Sequence, residues 1–317
     1  MPDPCKPFQW WFQNTPQGLT LFIVFYCQAC RYRLCSGCGL HKTMSKDHID
    51  YRQIMHQIDY IFNAPQILDH SHEIKKVIVS NNGSVLDEDT FSSTALMYLI
   101  AQVNTHFPTL EILSLESRAE HVDLCELEFL RRALHEGSME HVEIAIGFEI
   151  FDDIIRNKIF RKGLSRKQFE KFVGLMADHN FWVKCYFMLK PTSLFTTKDA
   201  IIDIHKAIDY LSDQAKKTGA HINMHLNPTF VGEGTELHKE FEAGEFEPPT
   251  LADTARAALH AKGKPITVYL GISDEGLAVP GGSFIREGDE ERLELCSKYN
   301  TTYDYSFLEK LILSEIE

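Results

Sequence analysis

Short apolar runs alternate with amphipathic stretches along most of the chain, and this alternation restricts the fold more than any other feature. The predicted strands are 19–26, 75–80, 110–115, 142–148, 182–189 and 222–226, with a further one at 266–270. The predicted helices are 51–63, one that opens at Asp87-Glu88-Asp89, 124–135, 152–160, 166–177, 198–217 and 307–316. Such alternation predicts a parallel sheet wound by right-handed crossovers. Six strand–helix units of this kind make an open (β/α)6 barrel.

The pattern weakens toward both ends of the chain. Residues 1–17 carry Trp10 and Trp11 and are predicted to form an N-terminal packing segment or lid. Residues 18–230 contain the alternating units, and residues 231–317 are predicted to form a C-terminal extension that packs on the barrel. The loop-like stretch 245–249 marks the edge of the core.

The charge and the apolar runs restrict partners and location. A net charge of −13 argues against tight, unaided binding to nucleic acid, although local basic runs or a basic partner subunit could still guide one. Apolar runs are too short to span a bilayer, and the first residues lack the basic start of a signal peptide. We therefore expect a cytoplasmic protein with no membrane contact.

Four of the eight cysteines fall between residues 27 and 38, directly after the first predicted strand. Thiolates clustered so closely can converge on one metal centre. Zinc is one candidate, but only four residues separate the two Cys-x-x-Cys pairs, a gap that suits an iron–sulfur cluster better. Four ligands would close the cluster for electron transfer or structure, whereas three would leave one iron open for a substrate.

The spacing Cys27-x7-Cys35-x2-Cys38 resembles that of the radical S-adenosylmethionine enzymes, in particular an Elp3-like branch with a widened first gap. The superfamily's commonest form is Cys-x3-Cys-x2-Cys, so Cys30 is an alternative to Cys27 as first ligand. Phrases such as 145–149, 186–191, 225–229 and 274–277 are similar to the family that includes the archaeosine synthase subunit. The resemblance implies a partial (β/α)6 TIM-like barrel and a [4Fe–4S] cluster whose open iron binds S-adenosylmethionine.

Strand ends supply the candidate cofactor contacts, since ligands of parallel α/β folds bind where the strands' carboxyl ends meet. By position, Asn81, Asn82, Gly83 and Ser84 match the superfamily segment that binds the methionine amino group. Glu116, Arg118 and Glu149 follow the next two strands, where related enzymes contact the ribose and the methionine carboxylate. Glu116 and Arg118 could instead pair with each other or with Glu149.

Later strand ends supply the candidate substrate contacts. These are Lys190, Asn223, His225, Asn227, Asp274 and Glu275. The run 221–229 alternates His and Asn with apolar residues, which places one polar face toward a barrel lumen. Structural roles stay open for them: a salt bridge for Lys190, core packing for His225 and a surface turn for Asp274 and Glu275.

The resemblance thus implies an enzyme that cleaves S-adenosylmethionine to a 5′-deoxyadenosyl radical, which abstracts hydrogen from a bound substrate. The resemblance implies a modified nucleoside in transfer RNA as substrate, a partner subunit, and an electron donor such as a flavodoxin or ferredoxin. No side chain stands out as a catalytic acid or base. The alternative is a non-catalytic zinc or iron–sulfur scaffold protein.

Overall fold

The computed structural model describes residues 2–36, 38–134 and 141–314, which form two compact units. The first unit comprises Met1–Arg33 and Leu40–Ile146, and the second comprises Leu34–Gly39 and Gly147–Glu317. The cysteine segment therefore contributes to both units. The domain division predicted from the sequence, with boundaries at 17 and 230, stays a prediction.

The first unit is a sheet with helices between its parallel strands. Its strands are β1 (Gln9–Thr15), β2 (Gly18–Val24), β3 (Ile74–Ser80), β4 (Ile112–Ser117) and the first part of β5 (His141–Glu149), adjacent in that order. β1 and β2 are antiparallel, and the remaining pairs are parallel. Its helices are α1 (Tyr51–Phe62), α2 (Pro65–Asp69), α3 (Ser93–His106) and α4 (Leu124–Leu134).

The second unit repeats the alternation. Its parallel strands are β6 (Trp182–Leu189), β7 (Ile222–Pro228) and β8 (Thr267–Leu270), adjacent in that order. A π-helical turn (Ile155–Ile159) precedes α5 (Arg166–Asp178). The other helices are α6 (Thr197–Thr218), α7 (Glu236–Glu242), α8 (Leu251–Leu259), α9 (Glu290–Thr302) and α10 (Ser306–Leu313).

Local sequence explains where several helices begin. Four helices begin with a capping box, in which the side chain of the first capping residue accepts from the backbone N–H three residues later. The side chain of that later residue accepts in turn from the backbone N–H of the capping residue. The capping residues are Asp50, Ser165, Thr196 and Thr250. The core of α1 follows from its spacing, because Ile54, Ile58 and Ile61 lie on one face and are fully buried.

Most predicted elements are confirmed, but the structure differs at several points. Strand β1 and helices α2, α7, α8 and α9 have no predicted counterpart. Residues 1–17 were expected only to pack or to form a lid. The prediction that Asp87-Glu88-Asp89 opens a helix is wrong, because α3 begins at Ser93 with Ser92 as its cap. The predicted helix 152–160 is a single π-helical turn. The predicted helix ends at residues 135 and 316 lie outside the described residues.

Two charged side chains meet inside the first unit. Lys76 Nζ lies 2.7 Å from Glu143 Oε1, and the Ser114 hydroxyl donates to the same oxygen at 2.7 Å. All three residues are buried. Burying a charge is costly unless it is paired and hydrogen-bonded, and this arrangement meets both conditions.

Within the described part of the chain, no helix is both long enough and apolar enough to cross a membrane.

Candidate functional site

Gln57 of α1 fixes the backbone that enters the cysteine segment. Its Oε1 accepts from Tyr26 N at 2.8 Å, while its Nε2 donates to Tyr26 O and to Pro4 O, each at 2.8 Å. Gln57 is fully buried. The residue directly after Tyr26 is Cys27, so one amide side chain sets the direction in which the first cysteine leaves the sheet.

The next backbone contacts come from Ser45. Its N–H donates to Cys27 O at 3.0 Å, and its carbonyl accepts from Ala29 N at 2.8 Å. Cys27 is fully buried and Cys30 is half-buried. Burial raises the pKa of the Cys27 thiol well above its ordinary range. The two candidates for the first ligand, Cys27 and Cys30, thus belong to the same unit but differ in solvent exposure.

Cys35 and Cys38 belong to the second unit. Cys38 N donates to Cys35 O at 3.2 Å, so the pair spans one turn of backbone. Between them, Ser36 donates from its N–H to Phe160 O at 3.0 Å and from its hydroxyl to Ile159 O at 3.1 Å. Gly37 lies outside the described residues.

All eight cysteines lie among the described residues, and none is in a disulfide. Within residues 2–36, 38–134 and 141–314, no three His, Cys, Asp or Glu side chains are arranged to hold a metal ion. Cys27, Cys35 and Cys38 therefore stay proposed ligands. Their spacing in the sequence and the position of the segment directly after β2 support this proposal.

The segment after β3 combines a glycine with Asn81, whose buried amide oxygen accepts no hydrogen bond from the described residues. Asn81 Nδ2 donates to Ser84 O and Thr90 Oγ1, each at 3.3 Å, but its buried Oδ1 accepts no hydrogen bond in the structure. A Cβ on Gly83 would lie 3.3 Å from that Oδ1 and 3.3 Å from Cys30 Cα. A small ligand that carries an amine could donate a hydrogen bond to this oxygen, in the space that Gly83 leaves open beside Cys30.

Asn82 and Ser84 support this segment. Asn82 has a left-handed backbone (φ 52°), and its Nδ2 donates to Thr43 Oγ1 at 3.2 Å. Ser84 Oγ accepts from Arg118 N at 3.1 Å. The ends of β3 and β4 are therefore linked through Ser84.

Arg118 pairs with a residue that the sequence analysis did not consider. Its Nε lies 2.5 Å from Glu120 Oε1, and its guanidinium lies 3.8 Å from the ring centre of Tyr32. Burial opposes ionisation of Glu120, but the hydrogen bond and charge of Arg118 lower its pKa overall. Glu116, near the end of β4, accepts Val85 N through its backbone carbonyl at 2.8 Å.

Asp87 joins three strand-end loops of the first unit. Its buried carboxylate lies 2.8 Å from Arg31 Nε and 3.6 Å from His121 Nε2. Arg31 belongs to the cysteine segment and also pairs with Asp89. Sequence reasoning missed Asp87 because consecutive acids before an apolar run are typical of a helix start. Its place in the loop that follows β3 was the available signal.

Glu149, the last residue of β5, pairs with Lys162. Its Oε1 lies 2.9 Å from Lys162 Nζ, and its φ is 73°. The pair lies across Gly147, where a Cβ would fall 1.9 Å from Glu149 Oε1 and 2.5 Å from Lys162 Nζ. Only a glycine at 147 leaves room for this ion pair.

Lys190 follows β6 directly and also has a left-handed backbone, with φ 60°. Its Nζ donates to Thr197 Oγ1 at 3.4 Å and lies 5.3 Å from the ring centre of Phe246.

The candidate residues of β7 differ in exposure, since His225 is buried and Asn227 is half-buried. His225 lies between Tyr186 and Tyr269, each 4.9 Å from its ring centre, and burial raises the pKa of Tyr269 to about 12. Asn227 lies over Gly271, where a Cβ would fall 2.1 Å from Asn227 Oδ1. Asn223 lies near the start of β7.

Two further contacts concern the remaining substrate candidates. Asn223 Nδ2 donates to Thr267 Oγ1 at 2.8 Å and to Tyr303 Oη at 3.3 Å. Asp274 accepts from Gly276 N at 3.0 Å within its own turn, and Glu275 is exposed with φ 56°.

Comparison with solved structures shows the fold class. The chain superposes on Elp3 of Methanocaldococcus infernus with a TM-score of 0.52 and 17% identity, covering 78% of this chain and 58% of Elp3. It superposes on Streptococcus suis SuiB bound to S-adenosylmethionine with a TM-score of 0.51 and 11% identity, covering 88% of this chain and 55% of SuiB. It thus spans less than two thirds of either structure. The fold is α/β of the radical S-adenosylmethionine type, as predicted; the count of six units stays a prediction.

Among curated proteins, the chain is similar to archaeosine synthase subunit beta of Thermococcus kodakarensis, with 23% identity over 300 residues, 93% of this chain and 88% of that one. It is also similar to an uncharacterized protein of Methanocaldococcus jannaschii, with 26% identity over 262 residues, 78% of this chain and 67% of that one. No protein-family model matches the chain. The resemblance to the Elp3-like branch and to the archaeosine synthase family is confirmed as a distant one.

Proposed function

We propose that the chain is a radical S-adenosylmethionine enzyme in which Cys27, Cys35 and Cys38 hold a [4Fe–4S] cluster. The observation that carries the proposal is the cysteine segment at the carboxyl end of β2, in a fold shared with a protein solved with S-adenosylmethionine. Cys30 stays the alternative first ligand.

The residues present fit these groups. Three thiols are the donor set that iron–sulfur clusters use, and a three-ligand set leaves one iron for the cofactor. The buried Asn81 Oδ1 that accepts no hydrogen bond, with Gly83 beside it, fits a donor such as the amino group of S-adenosylmethionine. Gly83 lies next to both Asn81 and Cys30, and all three residues belong to the first unit.

When bound, the cluster supplies the electron that cleaves S-adenosylmethionine to methionine and a 5′-deoxyadenosyl radical, which takes hydrogen from the substrate. The chain's own residues bind and orient. Asn81 accepts from the amino group, and Asn82, Gly83 and Ser84 shape the segment around it. Glu116, Arg118 and Glu149 are proposed cofactor contacts. Arg118 and Glu149 are already oriented by Glu120 and Lys162.

The substrate side is proposed to comprise Lys190, Asn223, His225, Asn227, Asp274 and Glu275. The likeness to archaeosine synthase subunit beta supports a partner subunit and a modified nucleoside in transfer RNA as substrate. The net charge of −13 argues that a partner supplies much of the RNA contact. A flavodoxin or ferredoxin is the proposed electron donor, and eight thiols without a disulfide support a cytoplasmic location.

The test is anaerobic reconstitution with iron and sulfide, followed by electron paramagnetic resonance with and without S-adenosylmethionine, and by assay of 5′-deoxyadenosine under dithionite. We expect a reduced [4Fe–4S] signal that shifts with the cofactor. Alanine at Cys27, Cys35 or Cys38 should abolish it, whereas Cys30→Ala, a matched neighbour, should keep it. One bound zinc, no iron and no 5′-deoxyadenosine would reject the enzyme in favour of a scaffold.

A further inference from the structure

An uncommon element of the second unit contacts the cysteine segment. The π-helical turn Ile155–Ile159 closes with Phe160 N donating to Ile155 O at 2.8 Å. Single π-helical turns are rare and are often found at functional sites. The last carbonyls of this turn, those of Ile159 and Phe160, both accept from Ser36.

A fully buried arginine holds the turn in place. Arg156 donates from Nε to Leu164 O at 2.8 Å, and from Nη1 to Ile150 O and Phe151 O, each at 2.9 Å. It also pairs with Asp153. Its guanidinium lies 4.3 Å from the ring centre of Phe148.

The strand side of the turn is held by Asp203. This buried carboxylate accepts from Phe151 N and Asp152 N, each at 2.8 Å. The buried guanidinium and the buried carboxylate rigidify the backbone between them, because releasing either would leave a buried charge without its hydrogen bonds. The turn is therefore a rigid support.

Ser36 is the residue that joins this support to the cysteine segment. It stands between Cys35 and Cys38 and uses both of its donors on the turn. Three residues after Ser36, a Cβ built at Gly39 would lie 3.7 Å from the methyl carbon of Thr235, an ordinary van der Waals distance. The two hydrogen bonds of Ser36 are therefore the contacts that hold this segment on the turn.

We propose that Ser36 is a positioning residue, which anchors the Cys35-x2-Cys38 segment on an Arg156-braced π-helical turn so that both thiols are oriented before metal binds. The role of the thiols as ligands rests on the proposed function. The anchoring itself is a property of the chain without metal, so it can be tested separately.

The first experiment uses the metal-free full chain. Iodoacetamide alkylation of each cysteine is followed by peptide mass spectrometry in wild type, Ser36→Ala, Ser36→Thr and the control Ser273→Ala. Ser273 is an exposed turn serine whose hydroxyl oxygen accepts from Glu275 N at 3.1 Å, and its replacement should leave the rates unchanged. Ser36→Ala should speed alkylation of Cys35 and Cys38 by about 2- to 10-fold, because the net free energy of one hydrogen bond corresponds to a factor of that size. Cys125, which is exposed elsewhere, should not change. Ser36→Thr keeps the hydroxyl and should restore the wild-type rate.

The second experiment uses the reconstituted protein. The paramagnetic spectrum of Ser36→Ala should differ from that of wild type, and Ser36→Thr should restore it. Arg156→Lys, verified as folded by circular dichroism, should alter Cys35 and Cys38 alkylation as Ser36→Ala does. Identical alkylation and spectra in wild type and Ser36→Ala would overturn the anchor. Faster alkylation in Ser36→Ala, with no iron bound by wild type, would uphold the anchor and reject the proposed function.

Discussion

Gln57 and Tyr26 exchange two hydrogen bonds, one in each direction, at the point where the chain leaves the sheet. The amide of Gln57 accepts from Tyr26 N and donates to Tyr26 O, each at 2.8 Å. Such a closed pair replaces the partners that a neighbouring strand would provide. It lets the backbone depart from the sheet with its polar groups satisfied, directly before Cys27.

Replacing Gln57 by Leu should therefore destabilise the first unit and disturb the cysteine segment. Each buried backbone group left without a partner costs about 1–3 kcal/mol. Urea unfolding should show a loss of that order, and iron bound after reconstitution should fall. The exposed Gln66→Leu is the matched control and should change neither quantity. Normal iron content in a destabilised Gln57→Leu would show that Gln57 supports the fold without orienting Cys27.

Asn81 should matter for the cofactor more than for the fold. Asn81→Ala removes the buried acceptor that has no partner in the structure. We expect S-adenosylmethionine to bind the reconstituted protein about 10-fold more weakly, equivalent to about 1.4 kcal/mol, in equilibrium dialysis.

Asn104 provides a stringent control for this prediction. Its Oδ1 is also buried without a partner, and its Nδ2 donates to Ala133 O at 2.8 Å, but it lies on α3. Asn104→Ala should leave the dissociation constant of S-adenosylmethionine unchanged. Equal weakening by both variants would mean that general stability, and not a contact at Asn81, controls binding.

The sequence was sufficient for what depends on local pattern. Apolar runs located β2 to β8, and helical spacing located the buried face of α1. The side-chain pairs of the site were not predictable in this way. Arg118 pairs with Glu120, two residues away, and Glu149 pairs with Lys162, because loop geometry decides which charges meet. Hydrophobic periodicity predicts regular helices and strands, but it predicts neither the conformation of a loop nor a π-helical turn.

Gly147 is predicted to be intolerant of a side chain. A Cβ there would overlap Glu149 Oε1 and Lys162 Nζ, so Gly147→Ala must displace a largely buried ion pair. Overpacking of this kind costs about 1–3 kcal/mol. Gly174→Ala is the matched control, since nothing lies within 4 Å of its Cβ position on α5. That change should stabilise the helix by about 0.5–1 kcal/mol in the same unfolding experiment. Equal stability of the two variants would contradict the prediction.

The buried Lys76–Glu143 pair allows a test by a double-mutant cycle. Lys76→Met leaves the Glu143 carboxylate buried without its lysine and should cost about 3–5 kcal/mol of unfolding free energy. Adding Glu143→Leu should recover most of that loss, because apolar replacements of similar size remove both charges. Lys75→Met, which breaks the more exposed pair with Glu111, should cost less than about 1 kcal/mol. A double variant as unstable as Lys76→Met would refute the pairing argument.

His205 should make the second unit less stable in mild acid. Its ring stacks on His260 with centroids 4.2 Å apart, and Asp209 pairs with both His260 and Lys264. Burial lowers the pKa of His205 below its ordinary value of 6.5, with the neighbouring His260 adding to the effect. Below about pH 6.5 the unfolded chain therefore binds more protons than the folded chain, so stability falls as pH falls.

The stabilising contribution of neutral His205 is complete above its unfolded pKa and is lost as pH drops through its folded pKa. His205→Gln cannot take up the proton, so its unfolding free energy should fall less between pH 7.5 and about pH 5 than that of wild type. Urea unfolding at a series of pH values measures both slopes. His72→Gln, an exposed histidine of the first unit, is the control and should keep the wild-type slope. A His205→Gln slope as steep as that of wild type would place the acid sensitivity in other groups.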